Sequence, residues 1–259
     1  MLPSPCYIFS DTHLGFAPDA VERQLRSFLH ALPGRAGSLV INGDLFEFWF
    51  EWRHVMPRAA FRVLAAIADL RDAGVPVLMI AGNHDCWGGS ILREDVGIDF
   101  HLGRWSGDLA GWTACVEHGD GLRDREDRRY RMLRRVLRNR VAIRAFRWLH
   151  PDLATPLAGG SSHASRSYAA RDGGAGLRAV AAARLAATPA LQLLVFGHSH
   201  VAALERISPG GVYANAGSWL DAPTFLRVTP AQVELRRWDG SAEGQALHVV
   251  DRPAEKALA

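Results

Sequence analysis

The sequence predicts an α/β fold with one helical insertion. Short apolar runs bounded by turn residues alternate with segments of helical periodicity in the first part of the chain, and this alternation is typical of layered α/β proteins. The same signal of a buried strand returns after a long arginine-rich stretch. The 259 residues suit one large domain or a core with an inserted subdomain. We therefore expect a core over 1–120 and 190–259, interrupted by an insertion over 121–189.

Three apolar runs in the first part of the chain predict buried strands. They cover 5–9, 38–42 and 76–81. The segments 19–32 and 57–73 lie between these runs and have helical periodicity. The second of them has Pro57 near its first helical position and Gly74 where a helix commonly ends.

The rest of the chain changes character twice. Eleven arginines lie between Arg123 and Arg147, and the segment 158–176 is rich in Gly, Ser and Ala, which predicts a mobile connection. An alanine-rich helix is expected over 177–187. Further strands are expected from apolar pieces over 98–103, 112–117, 191–196, 201–207, 211–217, 224–228 and 233–238.

Composition excludes several classes of protein. The net charge is +3, and all basic residues except Lys256 are arginines, so the distribution of charge is more informative than its sum. Three cysteines without CxxC spacing predict neither a disulfide framework nor a structural zinc site, and favour a reducing compartment. No signal-peptide pattern and no apolar run near the length of a spanning helix is present, so we expect a cytosolic protein.

Polar side chains that can hold metal ions follow five of the expected strands. They are Asp11 and His13; Asp44; Asn83, His84 and Asp85; His118; and His198 and His200. Ligands of open α/β sheets gather outside the carboxyl ends of the strands. We therefore expect these side chains to converge.

Each of these residues also has an ordinary structural explanation. An aspartate after a strand commonly caps a turn, and a lone histidine there is commonly hydrogen-bonded within the fold. Independent accidents at five strand ends explain the whole set poorly. Imidazole together with carboxylate suits Mn, Fe or Zn, and the set exceeds the about four to six ligands that one cation needs. It favours two metal ions bridged by one carboxylate, an arrangement that clamps a phosphoryl group.

The blocks DTH, GD, GNHD, HGD and GHSH, in this order, resemble those of the calcineurin-like metallophosphoesterases. The resemblance implies a two-sheet β-sandwich flanked by helices, with two divalent metal ions. For one metal ion it implies the ligands Asp11, His13, Asp44 and His200. For the other it implies Asp44, Asn83, His118 and His198, with Asp44 as the bridge.

His84 is then free to face the substrate, because the resemblance makes its neighbour Asn83 the ligand. An imidazole beside a phosphoryl group can protonate the leaving oxygen or stabilise developing charge. We expect Asp85 to orient this ring and to keep it protonated. The competing explanation is that Asp85 caps the turn and that His84 packs beside Trp87.

Longer segments are similar to the UDP-2,3-diacylglucosamine diphosphatases: GDLFEFWFEW, GNHDCW, HGDGLRDREDRRYRMLRRVLRN and FRWLHPDLATPLAGGSSHASR. This resemblance implies an enzyme of lipid A synthesis that uses Mn²⁺, releases UMP and leaves a diacylated sugar 1-phosphate at the inner-membrane surface. The insertion is then a helical lid. Its implied substrate-facing residues are Asp127, Tyr130, Arg134, Arg138, Asn139, Ser165 and Arg166. Many members of the group carry arginine where this chain has His84, so another phospholipid or nucleotide diphosphate is an alternative substrate.

The arginine-rich segment leaves three interpretations open. On a helical wheel it separates an apolar face from an arginine face, and the pattern breaks near Asn139. It could be a solvated basic face, a site for a diphosphate or anionic lipid headgroups, or a surface for a nucleic-acid backbone. We expect the acylated nucleotide-sugar and the membrane surface as partners, with a broad phosphoesterase or nuclease as the alternative enzyme. A scaffold without activity is disfavoured, because every candidate ligand is present.

Overall fold

Two β-sheets packed face to face form the centre of the fold. The computed structural model describes residues 1–123, 126–155, 172–207, 211–241 and 243–252, and of Arg129 only the main chain. The strands are β1 (Cys6–Phe9), β2 (Ser38–Asn42), β3 (Val77–Ile80), β4 (Asp99–His101), β5 (Trp105–Leu109), β6 (Trp112–Val116), β7 (Leu193–Phe196), β8 (Ala203–Ile207), β9 (Gly211–Asn215), β10 (Thr224–Val228), β11 (Gln232–Arg237) and β12 (Gln245–Asp251). The helices are α1 (Asp19–His30), α2 (Phe61–Asp72), α3 (Arg128–Leu137), α4 (Arg140–Arg147) and α5 (Ala175–Ala187). Shorter helical turns cover Arg58–Ala60, Ile91–Asp95 and 151–155.

The order of the strands brings the predicted site residues to one edge. The larger sheet has the order β12-β11-β10-β1-β2-β3-β4, and the smaller has β5-β6-β7-β9-β8. Strands β1 to β4 are parallel neighbours, as are β6, β7 and β9. Parallel neighbours end on the same side, so the turns that follow them lie together. The prediction of an α/β sandwich flanked by helices is confirmed.

Alternation along the strands of the larger sheet divides their side chains between two cores. Ile8 and Val40 face the smaller sheet, whereas Phe9 and Ile41 face the helices α1 and α2. This is the period of two that a pleated strand imposes. In β1, β2 and β3 both faces are buried, and for that reason these strands are apolar runs without polar alternation.

Helix α5 covers the outer face of the smaller sheet. Its buried side chains, Leu177, Ala181 and Leu185, recur at intervals of four and pack with Leu194 and Phe196 of β7. That spacing presents one stripe of a helix to the sheet. Helix α5 thus packs as part of the core layers, and the bounds of the lid, 121–189, stay a prediction.

The arginine-rich segment forms two helices, as the break near Asn139 predicted. The Asn139 side chain accepts hydrogen bonds from the main-chain N–H groups of Val141 (2.8 Å) and Ala142 (3.3 Å) and so caps α4. The predicted mobile connection over 158–176 falls mostly outside the described residues. No helix among the described residues is both long and apolar enough to cross a membrane.

An aromatic cluster attaches α3 and α4 to the core. The ring of Phe146 in α4 lies 4.9 Å from that of Phe50 and stacks on Trp87 at 6.0 Å between centroids. The indole N–H of Trp87 donates to the carbonyl of Leu137, at the end of α3, at 2.8 Å. Elsewhere on these helices and just after α4, apolar side chains are exposed, namely Met132, Leu133, Val136, Val141 and Trp148.

Two strands were not expected from the sequence. In β5, exposed and half-buried residues alternate, and nearly all of β12 is exposed at the edge of the larger sheet. Neither strand therefore carries the apolar run from which the other strands were predicted.

The packing of α5 predicts that Leu185→Ala lowers the free energy of unfolding by about 2–5 kcal/mol, because it leaves a cavity against β7. The exposed Leu133 of α3 is the matched control, and Leu133→Ala should change the same quantity by no more than about 0.5 kcal/mol. Urea denaturation followed by circular dichroism measures both. Equal, small losses for the two variants would show that α5 is not part of the core.

Candidate metal centre

The side chains predicted at the strand ends converge on the buried carboxylate of Asp44, just after β2. His118, after β6, places its Nε2 3.2 Å from Asp44 Oδ2. The Nε2 atoms of His84 and His13 lie 3.9 and 4.0 Å from the same oxygen. Three turns from both sheets thus meet at one carboxylate.

Two sets of potential ligands surround Asp44. In the first set, His200 Nε2 lies 3.4 Å from Asp11 Oδ1 and 3.3 Å from His13 Nε2. In the second set, His118 and His198 lie with ring centroids 5.2 Å apart, beside Asp44. Within each set the ligand atoms lie within 4.8 Å of one another, and a third such set joins His13, Asp44 and His84. This spacing suits a cation held between several donors.

Most of these ligands have an unusual main-chain conformation. The φ angles of Asp11, His13, Asp44, His198 and His200 lie between 47° and 62°, in the left-handed region. Each such residue costs of the order of 1–3 kcal/mol, and such residues cluster at functional sites. These conformations lie in the turns that follow the strands.

Two glycines allow the turns to come this close. A Cβ on Gly43 would collide with the His118 ring, and a Cβ on Gly82 would collide with the Asp44 carboxylate. The glycines of the GD and GNHD blocks are therefore required by contact and not only by turn geometry.

Hydrogen bonds on the outer side of the centre orient three imidazoles. His118 Nδ1 donates to the carbonyl of Asn42 (2.8 Å), and His84 Nδ1 donates to the carbonyl of Glu47 (2.8 Å). His13 Nδ1 donates to the Glu47 carboxylate (3.1 Å). Because these oxygens only accept, each Nδ1 carries the proton and Nε2 faces Asp44.

Buried polar atoms test whether metal ions fit here. Within the described part of the chain, His118 Nε2 and Asp11 Oδ1 are buried and have no hydrogen-bond partner. Unpaired buried atoms of this kind are costly, and divalent cations would satisfy them. The mixture of imidazole and carboxylate suits Mn, Fe or Zn. The residues fit two divalent metal ions.

Interactions between the buried charged groups of the centre shift the pKa values of its carboxylate and imidazole groups. Burial by itself raises the pKa of Asp44, but His118 and His84 outweigh this effect and hold that pKa well below its usual value. Burial lowers the pKa of His118, whereas the Asp44 carboxylate holds it well above the usual value. Burial, and then the charge of His118, lower the pKa of His198 to about 4, so its ring is neutral and able to bind metal.

The hydrogen bonds of Asp85 run to main-chain groups. Its two oxygens accept main-chain N–H groups from Leu45 (2.8 Å) and Gly82 (2.7 Å), whereas His84 is oriented by the Glu47 carbonyl. The described contacts of Asp85 join two turns, and its role in orienting His84 stays a prediction. Burial, and then the negative charge of Asp44, raise the pKa of Asp85 to about 7.

Asn83 is half-buried in the same turn, and its role as a ligand stays a prediction.

The expected substrate residues of α3 and α4 are largely engaged within the fold. Asp127 is buried and accepts hydrogen bonds from Arg123, and Asn139 caps α4. Their contact with the substrate stays a prediction. Tyr130 Oη donates to Asp120 Oδ2 (2.6 Å), and Arg134 donates to the Asp120 carbonyl (3.0 Å).

Arg138 follows the last residue of α3 and is half-buried. For Arg138, Tyr130 and Arg134, substrate binding stays a prediction. Ser165 and Arg166 lie outside the described residues.

Two contributors to the centre were missed in the sequence. Glu47 contacts both His13 and His84, and Asp120 joins α3 to the turn after β6. Both follow recognised motif residues within three positions, Asp44 and His118, and this proximity was the available signal.

Comparison with known proteins identifies relatives of the chain. A model of the family described as calcineurin-like phosphoesterase matches residues 4–202. A UDP-2,3-diacylglucosamine hydrolase of Xanthomonas oryzae pv. oryzae is 30% identical over 247 residues, covering 88% of this chain and 97% of that protein. One from Porphyromonas gingivalis is 35% identical over 167 residues, covering 63% of this chain and 64% of that protein. A dimetal phosphatase structure from Danio rerio is 12% identical, with a TM-score of 0.45, over 96% of this chain and 99% of that one.

Removing the Asp44 carboxylate should remove most of the stabilisation by metal. At a Mn²⁺ concentration a hundredfold above the Kd, the wild-type thermal midpoint should rise by about 5–10 °C. Asp44→Ala should remove most of this rise, whereas Asp72→Ala, at the exposed end of α2, should keep it. Calorimetric scans with and without Mn²⁺ provide the measurement. An undiminished rise in Asp44→Ala would contradict the assignment of the centre.

Proposed function

This chain belongs to the calcineurin-like phosphoesterase family, and we propose that within the family it hydrolyses the diphosphate of UDP-2,3-diacylglucosamine to UMP and 2,3-diacylglucosamine 1-phosphate. Membership makes the protein a metal-dependent hydrolase. The observation that carries the proposal is the convergence of two sets of His and Asp ligands on Asp44. The names of the relatives from Xanthomonas and Porphyromonas support this substrate.

The two metal positions are proposed to share one carboxylate. Asp11, His13, Asp44 and His200 would hold one ion, and Asp44, Asn83, His118 and His198 the other. We propose Mn²⁺ for both positions, which agrees with their mixed imidazole and carboxylate donors. Bound there, divalent cations supply a lower pKa for the attacking water and charge stabilisation for the phosphoryl group in an in-line displacement.

His84 is proposed to act on the phosphoryl group directly. Its Nδ1 is held by the Glu47 carbonyl, so its Nε2 is directed toward the centre, 3.9 Å from Asp44 Oδ2. From that position a ring protonated on both nitrogens can stabilise charge on a phosphoryl oxygen or protonate the leaving oxygen as its bond to phosphorus breaks. The main-chain N–H of His84 donates to Asp44 Oδ1 (3.0 Å), and this bond holds the residue against the centre.

Helices α3 and α4 are proposed to form the lid over the acylated part of the substrate. Their exposed apolar side chains, with Val141 72% and Trp148 91% exposed, offer a surface for acyl chains. Their arginines would attract anionic headgroups. We propose that the protein works at the cytoplasmic face of the inner membrane, bound to its surface.

Turnover of UDP-2,3-diacylglucosamine with Mn²⁺ tests the proposed reaction. UMP should be released, and His118→Ala should slow its release about 10²–10⁴-fold, because stabilisation of several kcal/mol at the phosphoryl group is lost. His84→Ala should lower kcat by a similar factor while bound Mn²⁺, measured by elemental analysis, is unchanged. His30→Ala, at the exposed end of α1, is the control and should match wild type.

The same assay distinguishes the proposed substrate from those of the alternative enzyme, a broad phosphoesterase or nuclease. Bis-p-nitrophenyl phosphate and single-stranded DNA are offered beside the acylated UDP-sugar. Cleavage of either one, with the UDP-sugar left intact, would replace the proposed substrate by a generic phosphodiester or a nucleic acid.

Attachment to a membrane should depend on the exposed face of α3 and α4. Trp148→Ser should weaken binding to vesicles with anionic phospholipid about tenfold, because one large apolar side chain no longer leaves water. Phe61→Ser, at an exposed site on α2, should bind like wild type. Sedimentation with vesicles measures the partition. Equal binding by all three proteins would exclude this face as the contact.

A further inference from the structure

Glu47 holds the imidazole rings of two histidines of the centre by two different groups. Its carboxylate accepts a hydrogen bond from His13 Nδ1 at 3.1 Å, and its main-chain carbonyl accepts one from His84 Nδ1 at 2.8 Å. The rings of these histidines lie edge to face, with centroids 4.8 Å apart. The side chain of Glu47 is only 13% exposed.

The main chain fixes Glu47 in this position. Its N–H donates to the carbonyl of Leu14 (2.9 Å), and Leu14 and Phe46 form a short parallel bridge. The segment after Asp44 therefore runs beside the segment after His13. This pairing carries the Glu47 side chain to the outer nitrogen of the His13 ring.

We propose that Glu47 is a positioning residue that sets the affinity of one metal position and leaves the other unchanged. Its carboxylate fixes the tautomer and orientation of His13, so that Nε2 of that ring faces the centre. The hydrogen bond that orients His84 is made by the main-chain carbonyl, and the carboxylate lies 4.0 Å from His84 Nδ1. This inference rests on the metal roles proposed above.

A comparison with His118 supports the difference between the two positions. The outer nitrogen of His118 donates to the Asn42 carbonyl, which is neutral, whereas that of His13 donates to a carboxylate. A hydrogen bond to a charged acceptor is stronger than one to a neutral acceptor, so it holds the ring more firmly in place. The position formed by Asp11, His13 and His200 therefore depends on Glu47, and the position formed by Asp44, His118 and His198 does not.

The two groups of Glu47 can be separated by substitution. Glu47→Gln keeps the shape, the main-chain carbonyl and an oxygen that can accept from His13, but it removes the charge. Glu47→Ala also removes the acceptor. Neither substitution alters the carbonyl that holds His84, so the function of His84 should persist when metal is saturating.

The test is a Mn²⁺ titration of the full-length, metal-stripped protein by isothermal calorimetry, with elemental analysis of the retained ions. Wild type should bind two ions. Glu47→Gln should weaken one binding step about 10–100-fold and leave the other within twofold, and Glu47→Ala should weaken the same step at least as much. With the acylated UDP-sugar, the Mn²⁺ concentration for half activity should rise by the same factor while kcat at saturating Mn²⁺ stays within about threefold.

Glu51 provides a matched control in the same loop. It is buried, and its carboxylate accepts from the main-chain N–H groups of Gly89 (2.7 Å) and Ile91 (2.9 Å), away from the candidate ligands. Glu51→Gln should lower the thermal midpoint and leave both Mn²⁺ steps unchanged. Wild-type Mn²⁺ binding in Glu47→Gln, equal weakening of both steps, or the same single weakened step in Glu51→Gln would each overturn the proposal.

The metal titration also separates this inference from the proposed reaction. A protein that leaves the acylated UDP-sugar intact, yet loses one Mn²⁺ step in Glu47→Gln, would contradict the substrate and support the role of Glu47. A protein that releases UMP, with Mn²⁺ binding indifferent to Glu47, would do the reverse.

Discussion

The buried carboxylate of Asp44 is the constraint on which the rest of the centre depends. It is 1% exposed, and a carboxylate removed from water is tolerated only where charge and hydrogen bonds oppose it. That opposition comes from the imidazoles of His118, His84 and His13 and from the main-chain N–H of His84. To deliver them, turns from both sheets must end at the same place, and this requirement accounts for their tight, left-handed conformations.

The rigid layers of the fold offset the free-energy cost of such turns. The strands that precede the ligands are buried on both faces, between the second sheet and the helices, so their ends cannot relax away from the centre. Hydrogen bonds then tie the turns to one another. Asp85 joins the turn after β3 to the turn after β2, and Glu47 joins the latter to the turn after β1. The centre is therefore held by contacts between turns, with its charged groups preorganised.

The proposed chemistry and the proposed recognition of substrate meet in one short loop. His84 faces the centre, while Trp87, three residues later, stacks on Phe146 of α4 and donates to the end of α3. Displacement of these helices would therefore act on the loop that carries His84. This connection offers a physical route by which an acylated substrate under the lid could influence the geometry at the phosphoryl group.

The layered α/β fold could be predicted from the sequence, together with most of the His and Asp side chains that meet at Asp44, but Glu47 could not. Strands buried on both faces are apolar runs, and residues after parallel strands must meet at one edge, so Asp11, Asp44 and His118 could be grouped before any coordinates. Edge strands such as β12 carry no such run. Tertiary structure alone decided the hydrogen-bond partners. Whether Asp85 faces His84 or the main chain, and whether Glu47 reaches His13, depends on the approach of turns distant in sequence. Local periodicity and motif spacing do not encode that approach, because it is set by how the sheets pack.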